Sequence, residues 1–232
     1  MNRPNRHSLG VTSVNEKKIK TNRVVNLIMA SRNSWLHMER GQVMSKEDIQ
    51  AILAIPLAVL LAVGIAWAGS QGGYTVSGFP IFALCVALAY LIQWLAFIPA
   101  YFRRTQAFYD LSGSITNITV ILVSMSLTPV INLRDWLLAG MIILWAARLG
   151  YFLVTRIRLD GEDRRFDELK YSFPRFFLAW TMQGLWIAFS LAAALAAITA
   201  TVKVSTDLFA AAGVLVWLTG FAIEVVADRQ KR

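Results

Sequence analysis

The stretch IFALCVALAYLIQWLAFIPAYF, residues 81–102, contains no charged side chain. A helix needs about 20 apolar residues to cross a bilayer core about 30 Å thick. Five further stretches share this length and apolar composition, which gives six candidate membrane helices at 51–69, 81–102, 112–131, 136–155, 176–200 and 208–227. The sequence therefore predicts an all-α fold, a polytopic transmembrane bundle of about six helices.

The 23 Lys and Arg residues are unevenly divided between the two sides of these candidate helices. Nine precede the first helix, two follow the second, six lie within 156–175 and three follow residue 227, whereas the other side has only Arg134 and Lys203. Cytoplasmic loops carry the excess of positive charge. The distribution predicts an integral membrane protein with both termini in the cytoplasm. Topology explains the net charge of +9, so the bilayer and not a nucleic acid is the expected partner.

Residues 1–43 are polar and aperiodic, and most of the positive net charge lies there. Such a composition predicts a disordered extension ahead of a transmembrane domain at 44–232. Two interpretations of the extension stay open: a basic tail that binds anionic lipid, or translation that starts at Met44 instead of Met1.

Histidine and cysteine restrict the chemistry of the membrane domain. Both histidines, His7 and His37, lie in the extension, and Cys85 is the single cysteine. A disulfide framework, a multi-cysteine metal site and a histidine base within the domain are thereby excluded, and we expect no metal.

Polar side chains within membrane helices are costly and are often functional. Gln93 on the second helix is one, with an interhelical hydrogen bond as the structural alternative. The third helix begins with Tyr109 and Asp110, which could cap it. Further polar residues follow over two turns and predict the wall of a polar cavity: Ser112, Ser114, Thr116, Asn117 and Thr119.

Ionisable residues on the fourth and sixth helices form a second group. Arg148 leads toward Arg156 and Arg158, and such a ladder suits an anionic ligand because guanidinium binds phosphate in a two-pronged way. Snorkelling of Arg148 to the interface is the alternative. Glu224 and Asp228 share one helix face, which favours a cationic partner opposite them. Three arginines stay open for that role: Arg148, Arg156 and Arg165.

Four motifs in residues 93–231 carry a resemblance: FYDLSGS at 108–114, RLDGEDRRFDELK at 158–170, FPRFFLAWTMQGLW at 173–186 and EVVADRQK at 224–231. Together they resemble the bacterial membrane proteins of unknown function of the DUF1295 group, within the steroid 5-alpha reductase-like superfamily. The resemblance implies the bacterial inner membrane and an NADPH-dependent reductase that acts on an activated carbon–carbon double bond of a lipophilic, steroid- or lipid-like substrate.

The resemblance also implies roles for particular residues. The cofactor would be held by the loop after the fourth helix and by acids of the sixth, which gives the set Arg148, Arg156, Arg158, Asp163, Arg164, Arg165, Glu224 and Asp228. Gln93 occupies the position of the first residue of a Gln-Glu pair that polarises the substrate carbonyl in steroid reductases, but Trp94 follows it here. The general acid is therefore open, with Tyr109 and Asp110 as candidates from local polarity.

Relatives in this superfamily continue beyond the ADRQK segment into further helices that complete the cofactor pocket. Relative to them the chain resembles a truncated, incomplete steroid-reductase-like domain, and both an active and an inactive reductase stay open. Two other functions stay open: an isoprenylcysteine-type methyltransferase that uses S-adenosylmethionine, and a membrane protein without catalysis.

Overall fold

A computed structural model describes residues 44–160 and 168–230 of the chain, without the side chains of 157–160. The extension 1–43, the side chain of Arg158, and Asp163, Arg164 and Arg165 lie outside the described residues. The predicted disorder of the extension and the predicted cofactor contacts of these four residues therefore stay predictions.

Six long helices make up most of the described chain: α1 Lys46–Gly69, α2 Ile81–Arg103, α3 Tyr109–Leu127, α4 Leu133–Asp160, α5 Phe173–Thr199 and α6 Leu208–Gln230. All six are long and apolar enough to cross a membrane. The predicted all-α polytopic bundle is confirmed.

Several helices extend beyond the predicted segments because polar residues continue them, whereas α3 ends at Leu127, four residues before its predicted end at 131, because Pro129 disfavours helical backbone at Thr128. α3 begins at Tyr109, three residues before its predicted start, and α4 continues to Asp160. Hydropathy marks where a chain meets the hydrocarbon, whereas backbone hydrogen bonds decide where a helix stops. The charged residues that follow Thr155 are therefore compatible with the last turn of α4.

The core of the bundle lies between α2, α3 and α5. Fully enclosed side chains include Phe82 on α2, Ile121 on α3 and Trp180 on α5. Small residues allow close helix approach, as is typical of membrane bundles. At Gly150 of α4 an added Cβ would lie only 2.9 Å from the Ser114 side chain of α3.

Ion pairs and hydrogen bonds identify one end of the bundle. Arg175, at the start of α5, lies 3.2 Å from Asp48 and 3.5 Å from Glu47, both at the start of α1. Arg104, just after α2, donates to the carbonyl of Lys170 ahead of α5 at 3.0 Å. This end, where α1 and α5 begin and α2 ends, is called the basic end below.

The opposite end is closed by loop contacts. Strands β1 (Thr75–Val76) and β2 (Phe79–Pro80) form a short hairpin whose turn residues Ser77 and Gly78 both have positive φ, as a tight two-residue hairpin requires. Tyr74 N–H donates to the carbonyl of Thr199 at 2.7 Å, which holds the hairpin against the end of α5.

α6 is peripheral to this core. The structure describes the whole of this helix, and none of its residues is buried. Large apolar side chains such as Leu215 and Val216 are exposed on it, as expected where lipid covers a helix. Its polar contacts with the bundle are made to α4 through Glu224 and Asp228.

Candidate functional site

A cavity of about 400 Å³ lies between α3, α4 and α5. It is lined by Tyr109, Asp110, Gly113, Ser114 and Asn117 of α3, Trp145, Leu149 and Leu153 of α4, and Met182, Gln183, Trp186 and Ile187 of α5. We call it the α3–α5 cavity. Its volume is within the range of small-molecule sites, about 300–1,000 Å³.

Helical periodicity divides the polar residues of α3 between two faces. Ser114 and Asn117, three residues apart, line the cavity. Ser112 and Thr116, four residues apart, instead contact Gln93 of α2. Thr119 is half-buried, and its hydroxyl donates to the carbonyl of Ile115 in its own helix. The predicted polar cavity wall is therefore confirmed for Ser114 and Asn117. Ser112, Thr116 and Thr119 lie outside the cavity wall.

Two amide side chains line the cavity and each has an oxygen without a hydrogen-bond partner among the described residues. Asn117 Nδ2 donates to the carbonyl of Gly113, and Gln183 Nε2 donates to the carbonyl of Tyr109, both at 2.9 Å. Because a carbonyl accepts only from the NH₂ side of an amide, these bonds fix the amide orientations. Asn117 Oδ1 and Gln183 Oε1 are enclosed and unpaired.

Tyr109 and Asp110 lie where the cavity reaches the basic end. The Tyr109 hydroxyl donates to the carbonyl of Ala179 at 3.0 Å, which holds the phenol against α5. Asp110 lies 3.9 Å from Arg156 of α4. The N-cap of α3 is Phe108, so Asp110 occupies the first turn, where the helix dipole favours an acid. Both predicted catalytic candidates thus lie on the cavity wall.

Gln93 is fully buried at the interface of α2 and α3 and does not line this cavity. Its Nε2 donates to Thr116 Oγ1 at 2.7 Å, and its Oε1 accepts from Ser112 Oγ at 3.2 Å. Both ends of the amide therefore have partners within the protein. This placement favours the interhelical hydrogen bond over a catalytic contact for Gln93.

Arg148 joins α4 to α6 through two carboxylates. Its Nη1 lies 2.6 Å from Glu224 Oε1, and its Nη2 pairs with Asp228. Trp145 Nε1 donates to the second oxygen of Glu224 at 3.1 Å. Of the three arginines left open as the partner of these acids, Arg148 pairs with both, whereas Arg156 lies beside Asp110 and Arg165 is outside the described residues. We call Arg148, Glu224 and Asp228 the ion triple.

The ion triple does not suit a dinucleotide phosphate. It combines one positive with two negative charges, and both terminal nitrogens of the guanidinium are already occupied. A phosphate placed there would meet a net negative charge. Arg156, whose side chain is 40% exposed beside the cavity, is better placed for an anion. The NADPH prediction thus rests on Arg156 together with Arg158, Arg164 and Arg165.

Gln183 and Trp145 are lining residues that sequence reasoning did not single out. Gln183 carries the signal that marked Gln93, an amide inside an apolar segment. Trp145 carries none, because a tryptophan in a membrane helix is most often packing. Its position between the α3–α5 cavity and Glu224 depends on how α4 meets α5 and α6, which one sequence does not reveal.

The sequence profile of the DUF1295 family, a protein family of unknown function, matches residues 96–232, more than half of the chain. The chain therefore belongs to the DUF1295 family. The matched region contains α3 to α6, and so both the cavity and the ion triple. Comparisons with curated proteins and with solved structures give no match.

Proposed function

We propose that this member of the DUF1295 family is a membrane-embedded enzyme that binds a lipophilic molecule in the α3–α5 cavity and reduces it with NADPH. The cavity carries the proposal because it joins an apolar, lipid-accessible wall to ionisable groups at the basic end. Trp186 in the cavity wall is 69% exposed, and Asp110, in the first turn of α3, lies beside Arg156 at the basic end. The resemblance to steroid 5-alpha reductase-like proteins supports the redox chemistry.

Apolar side chains of the cavity would hold the body of the substrate and keep water from it. Leu149, Leu153 and Ile187 contribute this surface from two helices. Reduction of a double bond also consumes a proton, and general acids act from within hydrogen-bond reach of the reacting atom. Tyr109 and Asp110 are the ionisable groups of the cavity wall, and we assign proton transfer to this pair.

NADPH, when bound, supplies the hydride. Arg156 would hold its phosphates together with Arg158, Arg164 and Arg165, because planar guanidinium groups bind phosphate oxygens in pairs. Asp163 would pair with these arginines or with a ribose hydroxyl. The ion triple keeps a structural role in this proposal and fixes α6 to α4.

Ligand titration tests the proposal. The full chain in lipid nanodiscs is titrated separately with NADPH and with S-adenosylmethionine, and NADPH oxidation is then followed with lipophilic enones. We expect NADPH to bind and to be oxidised only when an enone is present, and Tyr109→Phe to slow oxidation without weakening NADPH binding. Binding of S-adenosylmethionine alone would favour a methyltransferase, and binding of neither would favour a protein without catalysis.

We also propose that the basic end faces the cytoplasm of a bacterial cell, in accord with the charge distribution. Single cysteines are introduced at Arg103, on the basic end, and at Gln71, on the opposite end, in a Cys85→Ala background. A membrane-impermeant maleimide should label Gln71→Cys in cells with a permeabilised outer membrane, and Arg103→Cys only after the inner membrane is opened. The reverse labelling would invert the orientation.

A further inference from the structure

We infer that the ligand of the α3–α5 cavity is a hydroxylated lipid whose single hydroxyl hydrogen is shared between the amide oxygens of Asn117 and Gln183 in a three-centre hydrogen bond. The inference rests on the proposed function only in taking this cavity as the substrate site. It adds the chemical class of the substrate and two residues that recognise it.

The two unpaired oxygens need an explanation because buried polar groups almost always have hydrogen-bond partners. Asn117 is only 6% exposed, and its Oδ1 and the Oε1 of Gln183 are enclosed. Each amide is held firmly by its NH₂ group on a carbonyl of α3. Enclosing such an oxygen without a donor costs free energy, which a bound donor would recover.

The described residues of the cavity wall do not supply that donor. The Tyr109 hydroxyl donates to Ala179, the Ser114 hydroxyl to the carbonyl of Asp110, and Trp145 Nε1 to Glu224. These three side-chain donors of the cavity wall are thus directed elsewhere, and no described donor reaches the two amide oxygens. A ligand that binds here needs a hydrogen to donate.

Charge decides between the donor groups a lipid can carry. Asn117 lies seven residues after Asp110, about 10 Å farther along α3 and deeper in the span. An ammonium group at that depth would have only neutral amide oxygens nearby, and an unpaired charge within a membrane is strongly disfavoured. A ligand carbonyl could not pair with the two amide oxygens, because a carbonyl is itself only an acceptor. A neutral hydroxyl can share its one hydrogen between the two amide oxygens, so the hydroxyl anchors the substrate and the reduced double bond lies elsewhere in the molecule.

The test compares alcohols with their methyl ethers, which keep the shape but lose the donor. Three pairs are used with the full chain in nanodiscs without NADPH: a steroid alcohol, farnesol and hexadecanol, each beside its methyl ether. Binding is followed by quenching of tryptophan fluorescence, since Trp145 and Trp186 line the cavity. We expect the best-bound alcohol to bind about tenfold more tightly than its ether, as one lost hydrogen bond predicts.

Variants connect that preference to the two amides. Asn117→Leu and Gln183→Leu should each lower the alcohol-to-ether ratio, and the double variant, which has neither acceptor, should bring the ratio close to one. Thr119→Val, which removes a half-buried hydroxyl from the same helix, is the matched control and should leave the ratio unchanged. If one amide variant does not fold, the other variant and the unmodified chain still decide the question.

Three results would overturn the inference: ethers that bind as well as alcohols, a preference for the corresponding amines, or no binding of any pair. Different results would contradict the proposed reductase function. Alcohol preference without NADPH binding would contradict the reductase and leave the hydroxyl site standing. NADPH oxidation without alcohol preference would contradict the hydroxyl site alone.

Discussion

The α3–α5 cavity and the ion triple are neighbours that share Trp145. They differ in whether the protein itself supplies partners for their polar side chains. In the ion triple, Arg148 meets two carboxylates, and Glu224 also accepts from Trp145. In the cavity, Asn117 and Gln183 each keep an oxygen without a partner among the described residues. Polar groups satisfied by the protein stabilise its fold, whereas polar groups left unsatisfied are available to a ligand.

This contrast separates residues that looked alike in the sequence. Arg148, Glu224, Gln93 and Asn117 are all polar side chains within apolar segments, and any of them is a functional candidate on that ground. Their partners distinguish them: the first three are held by other protein groups, and Asn117 is held at one end only. Substitutions should therefore affect stability in one group and ligand binding in the other.

The largest loss of stability is expected for Arg148→Met. It would leave Glu224 and Asp228 without a cation, and breaking a partly buried pair in this way costs about 3 kcal/mol. The free energy of unfolding is measured by SDS titration in mixed micelles. The matched control adds Glu224→Gln and Asp228→Asn to the same chain, and this neutral variant should regain most of the loss. An Arg148→Met protein as stable as the unmodified chain would remove the structural role of the ion triple.

Gln93→Leu should have a smaller effect. The substitution removes the hydrogen bonds that Gln93 makes to α3, but Ser112 and Thr116 keep partners within α3. We expect a loss of about 1 kcal/mol in the free energy of unfolding, and unchanged affinity for the cavity ligand. A strong loss of enone reduction with stability preserved would instead return Gln93 to the catalytic role that the sequence suggested.

Gly113→Ala tests the geometry of the cavity. A Cβ at this position would collide with the amide nitrogen of Gln183 and displace it from the carbonyl of Tyr109. The end of the glutamine side chain can move, so the free energy of unfolding should fall by only about 1 kcal/mol, as for one lost hydrogen bond, but the alcohol preference should fall. Gly140→Ala is the control because nothing lies within 4 Å of its added Cβ. Equal ligand binding in both variants would contradict the role of Gln183.

The smallest effect on stability is expected for Asn117→Leu. It removes one hydrogen bond, but it also removes an enclosed oxygen that has no partner, and the two changes offset each other. The free energy of unfolding without ligand should stay within about 0.5 kcal/mol of the unmodified chain or rise. A loss of several kcal/mol would show that Asn117 stabilises the fold in the way that Gln93 does.

The sequence predicts features that depend on a single helix, but it does not predict which residues of two helices contact each other. Six membrane helices follow from apolar run length, and the polar series of α3 predicted a cavity wall before any contact was known. Which of those residues face the cavity depends on how α3 lies between α2 and α5, which divides Ser112 and Thr116 from Ser114 and Asn117. The choice of Arg148 among three arginines likewise depends on the packing of α6 against α4.

Ligand affinity in two variants tests the contrast between the regions most directly. The dissociation constant of the best-bound alcohol is measured for Asn117→Leu and for the neutral variant Arg148→Met with Glu224→Gln and Asp228→Asn. We expect Asn117→Leu to weaken binding severalfold, because the hydroxyl loses one of its two acceptors, and the neutral variant to bind within about twofold of the unmodified chain. Weakened binding in the neutral variant with unchanged binding in Asn117→Leu would place the ligand at the ion triple and contradict the assignment of the cavity.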